Sequence, residues 1–86
     1  MFKSITNDQF AWLVIKYNNM VTCLGENPRD GSGVHIDGNN VTIDGLYAGR
    51  IGVDSVSDFA ECNLASELLY EFAAHYNYGY TNKQDA

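Results

Sequence analysis

Apolar residues recur along the chain with two different periods. From Phe10 to Tyr17 the spacing is helical, with Phe10, Leu13, Val14 and Tyr17 at i, i+3, i+4 and i+7, which marks one buried helix face. Thr6 or Asn7 supplies the N-cap, and Asp8 or Gln9 falls in the first turn, where exposed amides favour an acceptor. The helix is expected to reach Asn18 or Asn19. Met20 to Leu24 reads as its continuation or as a short strand, and the paired asparagines before the β-branched Val21 and Thr22 favour the strand. Ala11, Trp12 and Ile15 point to the other side. A helix apolar on two sides is either sandwiched within the domain or carries a contact patch.

After the turn-rich loop Gly25 to Gly33 the period becomes two. Val34 and Ile36, then Val41 and Ile43, alternate with polar residues, and Asp37-Gly38-Asn39-Asn40 and Asp44-Gly45 carry hairpin-turn chemistry. With Asp44-Gly45 as a two-residue turn, Ile43 pairs with Leu46 and Val41 with Ala48, on the same face as Val34 and Ile36. Ile51 and Val53 stand in the opposite phase, so a bulge is expected near Gly49.

Asp54 to Tyr78 reads as one long amphipathic helix begun through Asp54-Ser55-Val56-Ser57-Asp58. Cys62, Ala65, Leu68, Leu69, Phe72 and Tyr76 form its core stripe, and Gly79 suits a left-handed cap. The order is then α-β-β-β-α: a two-layer α+β domain with a three-stranded antiparallel meander, a fourth short strand at 20–24 left open, and two packed helices. The compact domain is expected to span 1–80, with 81–86 a frayed tail.

Eighty-six residues make one domain. The net charge of −6, eleven acids against five bases, argues against direct contact with nucleic acid or an anionic membrane, because phosphate binding needs clustered Lys and Arg. A charged partner should be a basic protein. The apolar run Phe10 to Ile15 is too short for a secretory signal and no stretch is long enough to span a bilayer, so the expected location is the cytoplasm, that of a host if the chain is phage-encoded. Cys23 and Cys62 sit among apolar residues and read as buried free thiols, with a disulfide between them left open.

No cofactor or metal site is expected. Cys23, His35, Cys62 and His75 are the candidate zinc ligands, but thirteen helical positions between Cys62 and His75 span about 20 Å, too far to share one ion. His35 and Asp37 on one strand face could act as an acid/base pair, yet nothing supplies a nucleophile or an oxyanion donor, so no enzyme is expected. Asp37 to Gly45 fails as a calcium loop, because Val41 takes the fifth position and no Glu closes it. His75, four residues after Glu71, reads as a surface helix pair.

Charge is the remaining asymmetry. Asp54, Asp58 and Glu61 are explained by a helix start, Asp58 and Glu61 having capping-box spacing. Glu67 and Glu71 are not, because like charges at i, i+4 are mildly destabilising. Interleaved with Tyr70 and Tyr78, and joined by Asp58, they form a surface suited to a basic partner. In size, charge and lack of catalytic motifs the chain resembles phage-encoded inhibitors such as anti-CRISPR and anti-restriction proteins, which implies an inhibitor that docks on a nucleic-acid-binding surface. The resemblance is one of type and rests on no shared motif. The alternative is a self-associating regulatory module, a homodimer through Ala11, Trp12 and Ile15.

Overall fold

A computed structural model describes residues 5–23 and 33–82. Along the chain come α1 (Asn7–Cys23), β1 (Val34–Asp37), β2 (Asn40–Ile43), β3 (Leu46–Ile51), β4 (Ser55–Asp58), α2 (Asn63–Tyr76) and β5 (Gly79–Asn82). The α+β expectation holds, with a larger sheet than the pattern predicted. Its order is β1-β2-β3-β4-β5, antiparallel except that β5 runs parallel to β4. The unit β4-α2-β5 is therefore a crossover, which parallel neighbours require.

Residues paired across strands share a face. Val34, Val41, Ile43, Ile51 and Val56 face one way and are buried against Leu13, Tyr17 and Val21 of α1 and Ala65, Leu68, Leu69 and Phe72 of α2. Both helices thus cover one side of the sheet. The other side is polar and open: His35, Asp37, Arg50, Ser55 and Thr81 are exposed.

α1 begins as predicted. The Thr6 hydroxyl accepts from the Gln9 amide and the Gln9 side-chain oxygen accepts from the Thr6 amide, a reciprocal capping box. It ends later than predicted. Val21 continues the stripe of Leu13 and Tyr17 at steps of four, and burying it outweighs the weak β preference of one or two residues. The expected strand at 20–24 is helix through Cys23. Leu24 and the rest of the Gly-rich loop before Gly33 lie outside the described residues.

The second hairpin turns on Asp44 and Gly45, with φ of 55° and 83°, the doubly positive pair of a type I′ turn. Ile43 faces Leu46 as expected, but Val41 pairs with Gly49 while Thr42 pairs with Tyr47, so Ala48 is the extra residue of a bulge. The bulge restores the phase and brings Ile51 inward, one residue earlier than expected. Gly49 is tightly placed: a Cβ there would stand 2.2 Å from the Ser57 carbonyl oxygen. Val53 lies beyond β3 and is exposed.

The largest correction concerns Asp54 to Tyr78. Residues 55–58 are a strand, and the helix starts only at Asn63. The alternation Ser55, Val56, Ser57, Asp58 has period two, with Val56 and Asp58 buried. Cys62 is the N-cap, without a side-chain capping bond, so Asp58 and Glu61 do not form the expected box. At the other end Asn77 takes the left-handed conformation at φ 58°. The Tyr78 amide donates to Ala73 O at 2.8 Å and the Asn77 amide to Ala74 O, a Schellman motif. Gly79, the expected cap, instead begins β5 and donates to Asp54 O. Thr81 and Asn82, assigned to a frayed tail, pair with Ser57 and Asp58.

Candidate functional site

The acidic face predicted on α2 survives in part. Glu67, Tyr70 and Glu71 stand at i, i+3 and i+4 and remain outside the core stripe, as neighbours on one helix surface do. Tyr70 is 52% exposed, and the Tyr80 ring meets it edge-on at 5.3 Å. That edge-to-face contact favours one orientation of an otherwise exposed ring. Glu71 faces Lys16 of α1 at 4.0 Å, an exposed pair of little energetic worth. Glu67 lies beside the groove between the helices, with Asn63, Leu64, Lys16 and Met20.

Two members of the predicted face are elsewhere. Asp58 is fully buried, with Oδ1 accepting from the Ala60 amide at 2.8 Å and Oδ2 from the Tyr80 hydroxyl at 2.6 Å. Its carboxylate closes the end of β4 and offers no contact surface. Tyr78 is half-buried on Phe72, and its hydroxyl accepts from Gln9 Nε2 at 2.9 Å. It joins α1 to the strand β5.

The predicted self-association patch also divides. Trp12 turns into the interface between the helices, stacked on His75 at 5.1 Å and edge-on to Phe72 and Tyr76. His75 therefore serves an aromatic cluster instead of pairing with Glu71. In the same cluster burial pushes the Tyr76 phenol up, and the charges of Asp8 and Tyr78 add to the effect. Ala11 is exposed and Ile15 is 60% exposed, so these two alone remain at the surface.

His35 and Asp37 lie on the open sheet face, opposite Thr42 and Asn40, with Arg50 next across from Asn40. Cys23 and Cys62 are free and exposed, contrary to the buried thiols expected: Cys23 ends α1 and Cys62 precedes α2, both past the packed stripes. Among the described residues no group of His, Cys, Asp and Glu is placed to hold a metal ion, and no helix is long and apolar enough to cross a membrane.

One feature was missed in the sequence. At the end of the sheet where β3 begins and β4 ends, Leu46, Tyr47, Phe59 and Glu61 surround a recess of about 360 Å³ floored by Ile43, Ala48, Ala60 and Ala65. Leu46 is 68% and Tyr47 50% exposed. The only trace in the sequence is that Tyr47 is a large aromatic on a polar-phase position of β3 and Phe59 another just past the end of β4. The chain matches no protein-family profile, no curated protein and no solved structure.

Proposed function

We propose that this chain is a small acidic protein-binding domain that docks the α2 surface of Glu67, Tyr70 and Glu71 on a basic surface of a larger protein. The basic surface is one that binds nucleic acid, and docking blocks it, in the manner of phage anti-CRISPR or anti-restriction inhibitors. The observation that carries this reading is the exposed Tyr70 ring, held by Tyr80 between two carboxylates on one helix face. A preorganised tyrosine gives contact area at low entropic cost, while the acids raise the rate of encounter.

Photo-crosslinking tests it. A benzoylphenylalanine in place of Tyr70 should give one dominant adduct with a basic protein in the native cell, and affinity for the purified partner should fall as salt rises. Glu67→Lys/Glu71→Lys should lose both. Binding that is flat in salt, or an undiminished adduct in the charge-reversed variant, refutes the reading.

The second reading, self-association, rests on Ile15, a large apolar side chain facing outward next to Ala11 on α1. It requires a dimer by light scattering that Ile15→Lys dissociates; a monomer at high concentration eliminates it.

A further inference from the structure

The recess at the end of β3 and β4 has a chemistry of its own. Its floor is aliphatic, one wall holds the Tyr47 and Phe59 rings with centroids 5.8 Å apart and planes tilted by 34°, and its rim holds the exposed carboxylate of Glu61. Among the described residues no lysine or arginine lines it. A volume of about 360 Å³ is at the low end of the ~300–1,000 Å³ of ligand pockets, suited to one long side chain and too small for a dinucleotide.

We propose that this recess receives a single arginine side chain of a basic protein partner, its guanidinium against the Tyr47 and Phe59 rings and paired with Glu61. Charge complementarity selects the occupant: aromatic faces and a carboxylate both attract a cation, and the domain as a whole carries −6. Arginine fits better than lysine, because its plane stacks on a ring while its fork of donors reaches a carboxylate. Apolar floor atoms take the methylene stem. The N-terminus of α2 works against a cation with about half a charge, and the full charge of Glu61 outweighs it.

This inference rests on the proposal of a basic protein partner, and its test does not use that partner. N-acetylarginine amide, the lysine amide and the norleucine amide are titrated into the ¹⁵N-labelled protein. Arginine should shift the amides of Tyr47, Phe59, Glu61 and Cys62 saturably, more strongly than lysine, and norleucine should scarcely move them. Glu61→Gln and, separately, Tyr47→Ser should each weaken arginine binding about two- to fivefold while leaving the rest of the spectrum in place. An equal response to norleucine or to lysine, or linear shifts scattered over surface carboxylates, overturns it. If the recess fails while the Tyr70 adduct forms, the pocket alone is refuted; if the recess binds arginine and no adduct forms, the acidic α2 face falls instead.

Discussion

At the residue scale a buried carboxylate and a half-buried phenol each give a prediction. Asp58 has no exposed surface, and its two oxygens satisfy the Ala60 amide and the Tyr80 hydroxyl. Removing it leaves the buried Ala60 amide without its acceptor and takes one partner from the Tyr80 hydroxyl. Asp58→Ala should therefore cost about 3 kcal/mol in urea unfolding, the order expected when buried partners of a charged group are left unpaired. Asp58→Asn should cost distinctly less, because its carbonyl oxygen still receives the Ala60 amide and the Tyr80 hydroxyl can rotate to accept from its amide nitrogen. Equal losses would show that the two bonds are not what Asp58 provides. Tyr76 gives a prediction in pH. Burial and the Asp8 charge raise its phenol above the ordinary 10.0, so the folded state holds the proton more tightly than the unfolded chain. The contribution is fully present below pH 10 and is lost as pH rises through the folded value. Thermal melts on the alkaline side should fall less steeply for Tyr76→Phe than for the parent; parallel curves would leave the phenol without a part in alkaline unfolding.

At the element scale, Asn77 stops α2. It adopts φ 58° without being glycine, at a cost that asparagine bears better than most residues. Asn77→Gly should be neutral or slightly stabilising, whereas Asn77→Ala should lose about 1 kcal/mol by calorimetry. A harmless alanine would mean that the Schellman bonds of Asn77 and Tyr78 do not hold the end of the helix. What the sequence makes legible follows the same local logic. The helix start at Thr6 or Asn7, the Asp44-Gly45 turn and the inward stripe of Ala65, Leu68, Leu69 and Phe72 depend on neighbours within about four positions, and all were readable. β4 was not, because two carboxylates at capping-box spacing in Asp58 and Glu61 imitate a helix start, while the period-two signal of Val56 and Asp58 includes an acid on the inner face. β5 is as obscure: Gly79-Tyr80-Thr81-Asn82 carries one large half-buried residue, since an edge strand needs little apolar surface. The candidate site divides along the same line. Glu67, Tyr70 and Glu71 share a face by helical spacing alone, but Asp58 and Tyr78 are withdrawn from it by partners on β5 and α1, and the Tyr47–Phe59 recess exists only because the bulge at Ala48 and the turn into α2 meet in space.

At the scale of the whole molecule, charge works against the fold. Net charge is −6, and among the described residues the ion pair observed is the long Lys16–Glu71 contact, too exposed to offset much repulsion. Glu67 and Glu71 repel along the helix, no Lys or Arg stands between Ile51 and Asn82, and Lys16 of α1 offsets the repulsion only through that exposed contact. Raising the ionic strength from about 0.01 to 0.15 M shortens the Debye length from roughly 30 to 8 Å, which weakens repulsion between dispersed acids more than it weakens one close pair. Stability should rise with salt. A gain of about 0.5 kcal/mol corresponds to roughly 2–4 °C in Tm for a domain of this size. Glu67→Gln should melt higher than the parent in dilute buffer and gain less from salt, because one of the repelling charges is already gone. A Tm that falls with salt would mean that attractive pairs dominate instead. The same salt should weaken capture of the basic partner proposed above, so a single titration of salt should move folding and binding in opposite directions.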